Sequence, residues 1–419
     1  MTEGAVTRRS ILTAGLALPF AAGAQAPARV VIIGGGFGGT SAARALRRYA
    51  PSLDVTLIEA NATFTACPFS NEVIAGLRDI DAQRFGYRAV AADGISVVHA
   101  EATAVDPATR RITLRDGAAL PYDRLILSPG IDIVWGALPG YDEAAGARMP
   151  HAWKAGAQTA LLRQQLEAMP DGGTVIMSVP ANPFRCPPGP YERASLIAWY
   201  LKTHKRRSKL LVLDAKDTFS KQKLFQMAWA RFYPDHLKWV SLSDGGKVTR
   251  VDPGSLTLET DFGTHKADVA NVIPPQRAGR IAALAGVADR TGWCPIDPVT
   301  FESRLVPGIH VIGDAAIAGA MPKSAFAANA QAKVCALAAA RMLDGGTPDD
   351  PRLINTCYSL VAPRYGISVA GVYRPSNGVL TDIDGAGGTS PLEAPDEQRA
   401  MEADYADAWF RTITSEAFG

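Results

Sequence analysis

A chain of 419 residues, 47% hydrophobic and 20% charged, can build two or three domains with their own cores, which excludes a disordered or low-complexity polypeptide. Its 43 basic and 41 acidic residues leave a formal charge of +2, which argues against a nucleic-acid partner. Beyond the N-terminus no stretch approaches about eighteen uninterrupted apolar residues, so no membrane span is expected in the mature chain.

At the N-terminus Thr7-Arg8-Arg9-Ser10 precedes an apolar stretch, residues 11–24, and small residues around Ala24-Gln25-Ala26. This pattern predicts a twin-arginine signal over residues 1–26 and a periplasmic protein. The stretch is short and carries Pro19, so cleavage is favoured over a retained anchor. Cleavage after Ala24 competes with cleavage after Ala26, because Pro27 follows the latter.

Next, Val30-Val31-Ile32-Ile33 runs into Gly34-Gly35-Gly36-Phe37-Gly38-Gly39, with Glu59 ending the following strand, residues 55–58. A strand, a G-x-G-x-x-G turn, a helix and an acidic residue in register predict a dinucleotide-binding unit. Gly34 serves the tight turn, Gly36 the approach of a pyrophosphate and Gly39 close helix packing, while Glu59 holds ribose hydroxyls. A β-rich stretch, residues 95–127, completes this part, and Pro139-Gly140 marks a linker.

A second α/β unit is expected from helix 159–169, strand 174–179, helix 191–205 and strand 210–214. The basic run 202–209, with Lys202, His204, Lys205, Arg206 and Arg207, reads most simply as a solvated helix end, or else as a docking patch for an acidic protein. Where a second glycine-rich turn could follow residue 179, the chain has Pro180, Pro183, Pro187, Pro188 and Pro190. Proline donates no N–H to a pyrophosphate, so a nicotinamide donor is not expected. Within that frame Cys186 lies beside Arg185 and ahead of a helix, both of which lower a thiol pKa. A structural cysteine in a stiff loop explains the same residues.

The chain then returns to the first unit through Ile309-His310-Val311-Ile312-Gly313-Asp314, which places a carboxylate at a strand end. There Asp314 can accept a hydrogen bond from a ribityl hydroxyl, or simply cap the next helix. With the first fingerprint, this element resembles the FAD domain of glutathione-reductase-like flavoproteins and favours FAD over NAD. A strand at 367–373 and a helix at 395–413 form the last region. Five cysteines, Cys67, Cys186, Cys294, Cys335 and Cys357, leave one outside any intramolecular pairing. None makes a metal or haem motif, and no metal site is expected.

Several segments carry a closer likeness: Cys67-Pro68-Phe69-Ser70-Asn71-Glu72, Pro150-His151-Ala152-Trp153-Lys154-Ala155-Gly156 and residues 183–195. Ile273-Pro274-Pro275-Gln276-Arg277, Gly292-Trp293-Cys294-Pro295, Met321-Pro322-Lys323-Ser324 and Asn355-Thr356-Cys357-Tyr358-Ser359 continue it. On these the mature chain resembles the flavoprotein subunit of flavocytochrome c sulfide dehydrogenase, with sulfide:quinone oxidoreductase a more distant cousin. The resemblance implies two Rossmann-like dinucleotide-binding domains and a smaller C-terminal α+β interface domain. The expected boundaries are residues 27–150 with 281–345 for FAD, 151–280 for the second domain without an NAD fingerprint, and 346–419 for the last.

It also implies roles. Cys67 matches the cysteine bonded to the flavin, and Cys186 and Cys357 the redox-active disulfide over its ring. Lys323 and Ser324, near the start of the helix after Gly313 and Asp314, face the flavin, and Trp409 matches an aromatic close to it. Cys294 and Cys335 remain as packing residues. Glu192 handles a proton, or complements its helix N-terminus. Hydrosulfide attacks the disulfide, FAD takes the electrons, and a c-type haem on a separate cytochrome subunit receives them. The alternatives are a periplasmic disulfide or polysulfide reductase and an FAD-binding accessory subunit for another sulfur-oxidation protein.

Overall fold

The computed structural model describes residues 1–2 and 26–419, so the twin-arginine reading lies outside the described residues. The β-branched run forms the strand Arg29–Ile33, whose Val30, Val31, Ile32 and Ile33 are buried. A strand covered on both faces needs such a continuous apolar run. It is the middle of a five-stranded parallel sheet, with Asp54–Ile58 and Ser96–Val98 on one side and Arg124–Leu127 and Ile309–Val311 on the other. The chain builds outward one way and then returns to the other side. That reversal opens a crevice at the carboxyl ends of the two central strands.

The rest of the expected β-rich stretch is a separate antiparallel meander of Ala102–Asp106, Arg111–Leu114 and Ala119–Pro121. The helix Phe37–Tyr49 follows the glycine turn and packs against Ala325–Leu343, an alanine-rich helix with a small enough surface for close approach.

A second parallel sheet repeats the plan with four strands in the order Leu237–Val240, Lys209–Asp214, Thr174–Val179, Val269–Val272. Here the reversal falls beside Val179, where the proline-rich turn begins. Helix Gly189–His204 starts two residues earlier than the sequence suggests, with Pro190 in its first turn, where a missing N–H costs nothing. At its other end Lys202 donates to Phe232 O, Lys205 to Glu167 O and Arg207 to the Asp171 carboxylate. The basic run thus ties a helix end to its neighbours.

Near the C-terminus, Leu353–Ala362 and Tyr365–Ser376 form a long antiparallel pair extended by Val379–Asp382. The helix Asp396–Phe418 packs across it and outruns the expected 395–413. Its last turn is held because Phe418 packs with Phe37, Phe64 and Phe85 at ring separations of 5.6, 5.2 and 5.2 Å. The Arg44 guanidinium, donating to Glu416 O at 2.9 Å and Gly419 O at 2.6 Å, satisfies its carbonyls. Among the described residues no helix is long and apolar enough to cross a membrane.

Candidate functional site

Close backbone contact shapes the first crevice. A Cβ on Gly34, whose φ is +104°, would meet Ser128 O at 2.3 Å, and one on Gly39 would meet Gly34 O at 1.8 Å. Both positions therefore require glycine, and the helix N-terminus is drawn down onto the strand end. Glu59 reaches back to this turn: its Oε2 accepts from Gly35 N at 2.7 Å and its Oε1 from Asn61 N at 2.9 Å.

From Gly36 and Gly38 a single cavity runs to Cys357, with about 1310 Å³ free of protein atoms when its open mouth is included. Gly36, Cys67, Cys186, Glu192, Gly313, Asp314, Ser324, Cys357 and Trp409 all line it. Gly34 and Gly39 shape the turn and Glu59 stands behind it, and none of the three lines the wall. Lys323 is also off the wall, because its ammonium donates to Asp314 O at 2.8 Å and Ala316 O at 2.7 Å and lies 4.0 Å from the Trp293 ring centre. Its backbone contributes instead, Lys323 O accepting from Cys186 N at 2.8 Å. Ser324 caps the helix Ala325–Leu343 by accepting from Ala327 N at 3.0 Å.

The wall fits a flavin dinucleotide. Asp314 Oδ1 is buried without a hydrogen-bond partner, an oxygen that a ribityl hydroxyl could satisfy. The other oxygen lies 3.7 Å from Arg185 Nη1, and burial pushes the carboxyl pKa up against the pull of Arg185 and Lys323. FAD would take its pyrophosphate at the Gly34–Gly39 turn and its ribityl hydroxyls at Asp314.

All five cysteines are unbonded, with Cys294 and Cys335 fully buried in the core and Cys67, Cys186 and Cys357 on the cavity wall. Cys186 adopts a left-handed φ of 58°, and Gly189 leaves room for its sulfur: a Cβ there would meet Cys186 Sγ and the Trp153 ring, each at 2.9 Å. Contrary to the sequence reading, the Cys186 thiol pKa is pushed up. Burial is the largest cause, the Cys357 and Glu192 charges add to it, and the opposing pull of Arg185 and Lys221 is smaller. Cys357 Sγ receives the amide of Asn355 at 3.3 Å, whose oxygen is held by the Ser324 hydroxyl at 2.6 Å.

Glu192 has both oxygens engaged, Oε2 by Asn71 Nδ2 at 2.9 Å and Oε1 by Leu360 N at 2.8 Å. Desolvation still raises its pKa, so it holds a proton more readily than an exposed glutamate.

Sequence reasoning missed several groups that brace this wall. Arg193, nearly inaccessible, donates to Asn71 Oδ1 at 3.0 Å, His151 O at 2.9 Å, Ala152 O at 2.6 Å and Asn271 Oδ1 at 3.1 Å. Its guanidinium carbon lies 4.8 Å from the Trp153 ring centre. Lys221, also buried, reaches the strand of Cys357 from the second α/β unit. Arg193 lies within residues 183–195 without a distinguishing signal, and Lys221 lies outside every motif.

The second crevice is closed. Asp214, at the strand end where a ribose-binding acid belongs, is inaccessible and held by Lys216 Nζ at 2.6 Å, Tyr191 OH at 2.7 Å and Trp239 Nε1 at 3.0 Å. Tyr191 stacks on Phe219 at 3.6 Å, and Lys216 also bonds Pro180 O at 2.9 Å. Both Asp214 oxygens are thus engaged by side chains.

Residues 28–163 match the family model for pyridine nucleotide-disulphide oxidoreductases. Residues 159–274 match sulfide dehydrogenase (flavocytochrome c) flavoprotein chain, central, and 349–418 match flavocytochrome c sulphide dehydrogenase, flavin-binding. The sulfide:quinone oxidoreductase of Mus musculus is 23% identical over 304 residues, 68% of this chain and 65% of that one. In structure, the sulfide:quinone oxidoreductase of Aquifex aeolicus superposes with a TM-score of 0.74 at 17% identity, covering 93% of this chain and 92% of that one. The sulfide dehydrogenase (flavocytochrome c) flavoprotein chain of Chlorobaculum thiosulfatiphilum is 58% identical over 45 residues, 11% of this chain and 94% of that sequence. With two segments of that family matched and 58% identity over 94% of the Chlorobaculum sequence, the chain belongs to the family of the flavoprotein chain of flavocytochrome c sulfide dehydrogenase.

Proposed function

We propose that the protein is the flavoprotein subunit of a periplasmic sulfide dehydrogenase, oxidising hydrosulfide through Cys186 and Cys357 and delivering electrons to a c-type cytochrome partner. The observation that carries this reading is the cavity itself, where two cysteines distant in sequence meet the wall of a flavin site. FAD, when bound, would supply a two-electron acceptor for the thiolate released by the sulfide attack and would release electrons singly to a haem on the partner.

The chain's own residues account for the sulfur chemistry. In the oxidised protein, HS⁻ attacks one sulfur of a Cys186–Cys357 disulfide; the S–S bond between them breaks, a Cys–S–SH bond forms, and the negative charge passes to the released thiolate. The proton stays on the persulfide until a base takes it. Glu192, on the same wall with its pKa raised by burial, is that base. Arg185, beside Cys186 and facing Asp314, keeps a positive charge where sulfur anions develop. Cys67, also on the wall, is the site of covalent flavin attachment.

The periplasmic assignment rests on Arg8-Arg9 and the apolar stretch behind it. Anaerobic titration with sulfide tests the whole reading: flavin absorbance bleaches stoichiometrically and recovers on addition of a c-type cytochrome. An unbleached flavin refutes it. Acid precipitation tests the attachment, since colour stays with the pellet and a Cys67 peptide carries the flavin mass; free FAD in the supernatant removes that assignment alone.

A further inference from the structure

Lys221 lies just before the helix Gln222–Phe232 in a left-handed conformation, φ 62°, which turns its side chain out of the second α/β unit and under the C-terminal sheet. Its ammonium is buried and donates to Cys357 O at 2.8 Å, Ser359 Oγ at 2.8 Å and Ile367 O at 3.4 Å. All three acceptors are neutral. Among the described residues no carboxylate oxygen lies within 4.0 Å of it. The other buried lysine of this unit, Lys216, is paired with Asp214 at 2.6 Å. An ammonium held in the interior by neutral partners alone is costly, and the cost falls when a negative charge appears nearby.

The negative charges that reach it come from every neighbouring element: Cys357 on its strand, Glu192 on its helix, Cys186 in the proline-rich turn and Glu402 on the C-terminal helix, with Cys357 the strongest. Two of these are already engaged. Glu402 Oε2 accepts from Ser390 Oγ at 2.8 Å and Arg399 Nη1 at 3.3 Å, and Glu192 accepts from Asn71 and Leu360. Arg185, the stronger cationic influence on Cys186, faces Asp314. The Asn355 amide points at Cys357 Sγ, adding a donor where charge would collect.

We propose that Lys221 is a positioning residue that supplies the counter-charge for Cys357, so that Cys357 is the thiolate released when the disulfide opens and Cys186 receives the incoming sulfur. The inference rests on the sulfide-oxidising reading above. Atoms and charge balance: HS⁻ adds to the Cys186 sulfur, the Cys186–Cys357 bond breaks, and the unit charge arrives on Cys357 beside the ammonium. Burial lowers the Lys221 pKa to about 8, so the charge is present at neutral pH.

The test uses the full FAD-loaded protein, reduced, alkylated with iodoacetamide across a pH series and read by peptide mass. Lys221→Met and Lys221→Gln shift the Cys357 rate profile to higher pH by at least about one unit, a roughly tenfold slower reaction at pH 7.5. Lys221→Arg keeps the wild-type profile. Because the charge has no carboxylate partner, the Met and Gln variants keep or raise Tm. Brief sulfide treatment of the oxidised wild type places the extra sulfur on the Cys186 peptide.

An unchanged Cys357 profile in the Met and Gln variants overturns the proposal. So does a Gln variant that behaves like wild type while Met does not, which makes Lys221 a hydrogen-bonding prop, and so does failure of both to fold. The extra sulfur on Cys357 overturns the direction of attack. If sulfide fails to bleach the wild-type flavin, the sulfide-oxidising reading falls, whatever the alkylation profiles show; if Cys186→Ser and Cys357→Ser still permit bleaching, only the route through the disulfide falls.

Discussion

The two parallel sheets share one plan and end in opposite ways. In both, a central apolar strand is flanked first on one side and then on the other, and a crevice opens where the order reverses. In the first, Gly34 and Gly39 allow backbone to touch backbone, Glu59 stands behind the turn, and Asp314 carries an unpaired oxygen. In the second, prolines replace the glycines and Asp214 is enclosed by Lys216, Tyr191 and Trp239. The acidic residue is present in both; only its surroundings differ. One crevice keeps an open cavity, and the unit of the other carries Cys186, Glu192 and Lys221 to it.

If the second unit serves the first by presenting Cys186, removing that sulfur breaks the link without disturbing the cradle. Cys186→Ser and Cys357→Ser should each lower sulfide-dependent flavin reduction by at least about a thousandfold with FAD still bound, the scale on which loss of a nucleophile acts. Stopped-flow absorbance and flavin content check both halves. Normal turnover with lowered Tm would instead make the pair a structural bridge.

The converse change attacks the cradle. Gly39→Ala puts a Cβ against Gly34 O and should force the helix Phe37–Tyr49 off its strand at a cost of roughly 3 kcal/mol. The purified variant should be colourless or nearly so, while its second sheet stays folded. A fully flavinated Gly39→Ala protein would show that the close approach does not govern binding.

The contrast also explains what could be read from the chain. Gly34, Gly36, Gly39 and Glu59 belong to a pattern confined to about thirty residues, so strand, turn and helix follow from local chemistry. The prolines after Val179 were legible for the same reason. What was not legible depends on distant pieces meeting. The enclosure of Asp214 is one such case, because Tyr191 and Trp239 reach it from other elements. The lowered thiol pKa expected for Cys186 from Arg185 and a helix end reversed because burial, set by residues far away in sequence, outweighs both. Lys221 carried no signal, since nothing local distinguishes a lysine bound for a buried carbonyl from one bound for solvent.

A smaller effect concerns the seam between the units. His151 is buried, and its Nδ1 accepts from Trp153 N at 2.9 Å, fixing a residue of the cavity wall. Burial first, then the charges of Arg193, Lys154 and Arg185, lower its pKa from 6.5 to about 4. Below pH 6.5 the unfolded chain therefore takes up a proton that the folded one refuses. The stability His151 contributes is full above pH 6.5 and is lost as pH falls through about 4, a loss of about 3 kcal/mol. Denaturant titrations at pH 7 and pH 4.5 should show a shallower acid loss in His151→Gln; equal slopes would place the acid sensitivity elsewhere.

The finest distinction lies within the closed crevice. Tyr191→Phe deletes the hydroxyl that meets Asp214 at 2.7 Å while leaving the ring stacked on Phe219. Asp214 keeps Lys216 and Trp239, so the carboxylate is not abandoned, and the loss should be about 2 kcal/mol, the worth of one hydrogen bond to a charged group. Flavin content and sulfide bleaching should not change. Nor should NADH or NADPH begin to reduce the flavin, because the prolines still withhold the N–H groups a pyrophosphate needs. If freeing Asp214 alone let NADH reduce the flavin at a rate near that of sulfide, the aromatic plug rather than the proline-rich turn would be what closed the second site. Packing, and not the turn, would then separate the two crevices.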